Sequence, residues 1–289
     1  RVFEEFQYRT RDDWWIIRNS WNNLNFHSSW NYEGINNSLG GNFNTYVEFT
    51  NYWSMNWSIS VQAEKYSDLE TRGNGLWEWP VYPTAASWLN INTDQRKDVS
   101  FHAGIGGGDD RGGNHRSLSF DINTRPRSNI EFTTGIALQR YNNATRWITN
   151  QYDENDQLQS VFGDLDQDVF NLYMSGSWLL SRDLSLQFSA VGLLSGLDYQ
   201  NYRYYLGGNE YSDPLDEFDN DYNYSAINST LLLRWEYIPG STLYLVWTRA
   251  RPEVDGNTNS LVLDRDLDRF LSAGSTNVFL IKVSYWLNI

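Results

Sequence analysis

The segment Val278-Phe-Leu-Ile-Lys-Val-Ser-Tyr-Trp-Leu287 decides the fold class. Read with a period of two, Phe279, Ile281, Val283, Tyr285 and Leu287 share one face. Val278, Leu280, Lys282, Ser284 and Trp286 share the other. Alternation at this period is a strand pattern, with one wholly apolar face and one that accepts charge. Segments of roughly ten residues with the same pattern recur along the chain, the length at which a tilted strand crosses a bilayer. One of the clearest sets Met55, Trp57, Ile59, Val61 and Ala63 against Asn56, Ser58, Ser60, Gln62 and Glu64. A sandwich core does not accept such a row of amides, whereas a watery lumen requires one. The expected fold is all-β: an antiparallel transmembrane outer-membrane β-barrel of roughly 12–14 strands within a larger barrel.

Composition agrees with this class. Hydrophobic residues make up 40% of the 289, and no run of eighteen apolar residues offers a helical span. Aromatics reach 16%, with 14 Trp and 19 Tyr, the residues that favour membrane–water interfaces. An aromatic-rich soluble β-sandwich or carbohydrate-binding protein is the competing reading. The absence of cysteine excludes disulfides, thiolate metal sites and Cys nucleophiles. A net charge of −14 argues against a nucleic-acid partner, which needs a basic footprint. The chain begins Arg1-Val-Phe-Glu-Glu-Phe, as a mature secreted protein or a fragment of a longer one would.

Strand signals are separated by connections that alternate in length. Short polar turns are expected at 10–13, 51–54, 94–98, 124–129, 181–183 and 238–242. Long loops are expected at 34–41, 67–84, 107–114, 142–167, 195–224 and 252–274. Tight periplasmic turns and long outer loops are the habit of outer-membrane barrels, which places the C-terminus in the periplasm. The count comes to about thirteen strands with an external start, whereas single-chain bacterial barrels have an even number. The expectation is therefore that 1–289 is one barrel unit, with strands or a domain ahead of Arg1.

Several segments carry a family resemblance: Asn92-Thr-Asp-Gln-Arg-Lys-Asp-Val-Ser100, Leu233-Arg-Trp-Glu-Tyr-Ile-Pro-Gly-Ser-Thr-Leu-Tyr-Leu-Val-Trp247 and Asn277-Val-Phe-Leu-Ile-Lys-Val-Ser-Tyr-Trp286, with Asp164-Leu-Asp-Gln167 and Leu184-Ser-Leu-Gln187. Together they resemble the C-terminal barrel of a family of large outer-membrane proteins of unknown function from environmental Gram-negative bacteria. Longer members of that family carry a β-sandwich similar to family-9 carbohydrate-binding modules ahead of the barrel. The resemblance implies fold and location, and it supplies no catalytic residues. Ile289 departs from the aromatic residue with which such barrels commonly end.

Candidate site residues follow from the face assignments. Asn25, His27, Asn44, Glu48, Ser60, Gln62, Glu64, His102 and Lys282 are the expected lumen-facing polar groups. Trp14, Trp30, Trp57, Trp247 and Trp286 fit a membrane girdle. Trp77, Trp79, Tyr82, Tyr202, Tyr204 and Tyr205 fall in expected outer loops, where they would either stack on sugar rings or pack loop against loop. The histidines His27, His102 and His115 have no local Ser–His–acid partner set, so no enzyme is expected. Gly104-Ile-Gly-Gly-Gly108 lacks the Lys-Ser/Thr and helix of a phosphate loop. Asp216, Asp219 and Asp221 offer oxygens suited to Ca²⁺ without the spacing of a known calcium loop. Expected partners are outer-membrane lipid and lipopolysaccharide, glycans, and another surface protein or a preceding domain. Two functions result: a pore or uptake barrel for carbohydrate or other polar solutes, and a plugged docking barrel.

Overall fold

An alternating strand leaves its backbone N–H and C=O groups pointing sideways, and each must find a partner in a neighbouring strand. Here they do so in one antiparallel meander. The computed structural model describes the chain apart from residues 12, 64, 76, 79–83, 154, 209, 216–217, 257–259, 263, 267, 269–273 and 288–289. Its strands are β1 (Val2–Thr10), β2 (Ile17–Trp30), β3 (Asn36–Phe49), β4 (Ser54–Gln62), β5 (Tyr66–Ser67), β6 (Trp77–Glu78), β7 (Thr84–Asn92) and β8 (Val99–Asp110). They continue as β9 (Gly113–Arg127), β10 (Ile130–Tyr152), β11 (Leu158–Leu179), β12 (Leu184–Gly207), β13 (Glu210–Tyr211), β14 (Tyr222–Ile238), β15 (Ser241–Asp255) and β16 (Thr276–Ser284). Fourteen belong to one sheet in the order β1-β2-β3-β4-β7-β8-β9-β10-β11-β12-β14-β15-β16, with β13 added on β12. β5 and β6 form a separate small ladder.

Among the described residues β1 pairs only with β2, and β16 only with β15. Twelve antiparallel steps separate them, so these two edge strands run in the same direction. Both are exposed on both faces.

Register fixes what each face carries. On one face Phe43 lies opposite Ile59, Ile105 opposite Leu118, Leu118 opposite Leu138, and Leu231 opposite Trp247, which is itself opposite Phe279. On the other face Asn23 lies opposite Asn44, His102 opposite Asp121, and Arg234 opposite Tyr244, which is opposite Lys282. Burial runs contrary to the usual rule. Along β9, Leu118 and Phe120 are exposed while Ser117, Ser119 and Asp121 are half-buried. Along β8, Val99, Phe101 and Ile105 are exposed while Ser100 is buried and His102 half-buried. Across β4 and β8 to β10 the sheet therefore shelters its polar face and presents its apolar one, whereas on β12 Gln187 and Ser189 are exposed and Leu186 and Phe188 half-buried.

Six short connections (11–16, 50–53, 93–98, 128–129, 180–183 and 239–240) lie at one end of the meander. The expected long loops all lie at the other end, but four of them are mostly strand. β3 already begins at Asn36, β8 and β9 are joined by the turn Arg111-Gly112, and β10, β11 and β12 run for 23, 22 and 24 residues. At a rise of ~3.3 Å per residue these hairpins reach roughly 75 Å, far beyond the ten or so residues of a bilayer crossing. Polar composition reads as loop, yet ladder hydrogen bonds are made by backbone whatever the side chain. Bulges with positive φ at Asn143 and Asn201 bend the extended strands. At the C-terminus the strand ends at Ser284, three residues short of the alternating pattern.

The short-turn end is held by stacked cations. Tyr52 lies between the guanidinium groups of Arg18 and Arg96, 4.6 and 3.1 Å from its ring centre. Arg18 pairs with Glu48 at 2.8 Å, and Arg96 makes two 2.8 Å bonds to Asp94. The hydrogen bonds from Arg96 hold the Asp94 carboxyl down at about 2, below its ordinary 3.8. A depressed folded pKa means the turn's support is complete above about 4 and is lost as pH falls through about 2. Thermal unfolding in detergent is expected to show Asp94→Asn less stable than the natural chain at pH 7, with the gap closing between pH 4 and 2. A gap that stays constant over that range would overturn the assignment. Trp14, Trp15, Trp53, Trp178, Trp235 and Trp286 are all exposed at this same end.

Candidate functional site: the sheltered polar face and the end that covers it

On β1 to β3 the polar face is an amide ladder. Gln7 donates to Asn23 at 2.7 Å, Asn23 to Asn44 at 2.9 Å, and Asn25 and Asn44 both to Asn42, at 2.7 and 3.0 Å. Each amide is both donor and acceptor, so a row of them satisfies itself while keeping edges free for water or hydroxyls. His27 and Glu48 lie on the same face, Glu48 bound to Arg18 and Asn19. Ser60 and Gln62 face the same way on β4, and Glu64 lies outside the described residues.

Further along, His102 places Nδ1 at 2.8 Å from Asp121 Oδ2 and Nε2 at 3.3 Å from Asn90 Oδ1. The other Asp121 oxygen is buried without a hydrogen-bond partner among the described residues. It sits over Gly135, where a Cβ would come within 2.0 Å of it. Ser100, His102, Asp121, Asn123, Arg125, Glu131 and Thr133 line one polar groove, and Glu131 and Thr133 continue into a second with Ser175, Ser177, Gln187, Ser189 and Thr230. Sequence reasoning assigned His102 to this face but could not see Asp121 and Asn90 beside it, because cross-strand register is not a local property.

Aromatic rings lie along the same face. Trp88 packs on Gly106, where a Cβ would meet its ring at 2.1 Å. His115 follows at 5.9 Å between ring centres and Tyr141 at a further 6.0 Å, with Trp21 and Tyr46 paired at 4.9 Å nearer β1. The readable signal is an aromatic at a polar position of an alternating strand opposite glycine.

The loop aromatics have a different place. Trp77 is 1% exposed, stacked on the fully buried Phe162 at 5.9 Å, and its Nε1–H donates to the Tyr211 hydroxyl at 2.9 Å. Tyr205 packs on Phe162 and Tyr211, and Trp147 joins the cluster. Tyr202 is buried against Phe218, its hydroxyl accepting the Asn220 N–H at 2.8 Å. The rings of Trp77, Tyr202 and Tyr205 are thus covered by protein and cannot present a face to a sugar. Tyr204 is half-buried and accepts from Gln151 at 2.6 Å; Trp79 and Tyr82 lie outside the described residues. Burial pushes the Tyr211 hydroxyl above its ordinary range and that of Tyr199 to about 12, so both remain neutral.

This cluster is reached by a crossing segment. After β4 the chain runs past Asn31, which donates to Asp68 at 3.0 Å, and past Arg111, which pairs with Glu70. Asn150 then donates to the Thr71 carbonyl, and Asn74 to Leu158 O and Ser160 Oγ, at 2.9, 3.1 and 3.0 Å. The long-loop end is therefore tied together from β2 to β13 before the chain returns to β7. In the acidic connection before β14, Asp219 accepts the Asp221 N–H and Asp221 accepts the Tyr199 N–H; Asp216 lies outside the described residues. No group of three metal-ligating side chains is found among the described residues.

These features define a class: an all-β protein with a single antiparallel meander that carries one apolar and one polar face. The chain belongs to the DUF5916 family, a domain of unknown function, which matches it over residues 1–289. Among solved structures it is similar to the NanC porin in a rhombohedral crystal form, at 12% identity over 99% of each chain with a TM-score of 0.30. Among curated proteins no relative matches.

Proposed function

We propose that this chain is an outer-membrane β-barrel whose sheltered polar face forms a watery route for polar solutes, carbohydrates among them. The inversion of polarity carries the reading. Monomeric soluble proteins rarely leave exposed apolar patches above a few hundred Å², whereas here the apolar face runs across the whole sheet. The exposed tryptophans at the short-turn end suit a headgroup boundary. In hydrocarbon an open edge leaves backbone groups unsatisfied at several kcal/mol each, so β1 and β16 are joined into one closed sheet, directly or through further strands.

The Trp88–His115–Tyr141 track supports a carbohydrate route. Flat rings offer apolar faces to sugar C–H groups, while neighbouring Asn, Ser and Asp side chains exchange hydroxyl hydrogen bonds. Catalysis is not required: both His102 nitrogens are engaged by Asp121 and Asn90, and diffusion through a polar bore depends on size and field. Planar-bilayer recordings of the purified protein are expected to show steady conductance that linear oligosaccharides block. Trp88→Ala is expected to weaken that block by roughly threefold to tenfold, the worth of one aromatic contact. A folded protein with a silent bilayer would sink the conduit, and unchanged block in the variant would sink the aromatic track.

A second reading rests on the crossing segment of 63–78, which packs the long-loop end against itself. In that reading the barrel is capped by its own chain and serves as a docking platform for another surface protein or for lipopolysaccharide.

A further inference from the structure

We propose that the outward face of β9 and β10 holds the phosphate of a membrane amphiphile between Arg116 and Arg140. The proposal rests on the bilayer reading given above. Arg116 and Arg140 are direct cross-strand neighbours on the apolar face. Two like charges at opposed positions of a sheet repel, and a sequence with 36 acidic residues had ample means to place an acid there instead. Arg140 is only partly compensated: its Nε lies 3.7 Å from Asp168, which is itself half-exposed, and donates to Asn142 at 3.0 Å. The Arg116 side chain is exposed and makes no ion pair or hydrogen bond among the described residues.

Their height on the sheet selects the ligand. Immediately toward the short-turn end come Leu118 and Leu138, both exposed; immediately toward the long-loop end come Asn114 and Asn142. The arginines thus stand where the face changes from apolar to polar. The two arginines share one groove with Ile105, Leu118 and Leu138, with Asp168, and Leu261 of the β15–β16 connection, also in its lining. An amphiphile with acyl chains in that groove would bring an anionic head to two planar guanidinium groups, the donors best suited to phosphate oxygens. A phosphomonoester lipid relieves the repulsion and fills the groove at once. A free phosphate could relieve only the repulsion.

The test uses the full chain in detergent, titrated with phosphatidic acid or phosphatidylcholine and read by native mass spectrometry. The natural protein is expected to retain one phosphatidic acid, and Arg116→Gln with Arg140→Gln to lower that retention about tenfold, leaving phosphatidylcholine uptake unchanged. Single Arg116→Gln is expected to raise the lipid-free melting temperature, because it removes the repulsion. Equal retention by the double variant would overturn the site. Displacement of the lipid by millimolar inorganic phosphate would overturn the choice of a lipid over a free anion. Insertion into phosphatidylcholine vesicles is followed in parallel: a protein that inserts but shows no phosphatidic acid preference refutes this site alone, whereas one that fails to insert refutes the bilayer reading beneath it.

Discussion

Met174→Arg is expected to cost ~2–4 kcal/mol of stability in lipid vesicles, while Ser175→Arg, one residue along the same strand, costs less than ~1 kcal/mol. Met174 sits midway along the apolar stretch of β11, between Trp178 and Phe170 on the outward face, and lies opposite Thr134 and Ala190. Ser175 points to the other face and lines the groove with Ser177 and Ser189. Both side chains are exposed, so in a water-soluble protein an arginine at either position would reach solvent and the two costs would match. In a bilayer the first meets hydrocarbon and the second meets a polar bore. Urea unfolding from vesicles, followed by tryptophan fluorescence, separates these outcomes. Equal costs would remove the membrane placement and the conduit with it.

The second large effect is expected at the long-loop end. Trp77→Ala removes the largest fully buried side chain among the described residues and leaves a cavity over Phe162, with the Tyr211 hydroxyl deprived of its indole donor. Trp→Ala at such a site costs ~3–5 kcal/mol. That loss falls on the crossing segment, because each strand beneath is held to its neighbours by its own backbone ladder. Limited proteolysis is expected to cut the variant within 63–78 while the strands remain protected. Conductance then decides between the two functional readings. A rise in Trp77→Ala over the natural protein would make the segment a cap across the conduit. Enhanced cleavage with unchanged conductance would place the route elsewhere, and unchanged cleavage would show that Trp77 does not hold the segment.

The loop aromatics show why composition alone leaves two readings open, sugar stacking or loop-on-loop packing. Trp77, Tyr202 and Tyr205 stand in segments rich in Gly, Asn and Asp, the residues of solvated loops, which does not say whether a ring is exposed or packed. Each is buried by a partner more than a dozen residues away: Trp77 by Phe162 and Tyr211, Tyr202 by Phe218, Tyr205 by Phe162. The rings of the polar face, Trp88, His115 and Tyr141, lie within strands and align only through the register of β7 to β10.

Read alone, the sequence determined the alternating stretches of the strands, their two faces and the end at which the short turns gather, but not how far β10 to β12 extend. Period-two alternation and turn residues act within a few residues, so segments such as Val278–Ser284 and Met55–Gln62 declare their geometry without reference to the rest of the chain. Tertiary structure decided what stands opposite what. The His102–Asp121–Asn90 group, the Arg116–Arg140 pair, the buried aromatic cluster and the long hairpins of β10 to β12 all depend on contacts between segments far apart in sequence. A one-residue slip in pairing would exchange every face, and nothing local to any one strand specifies its register.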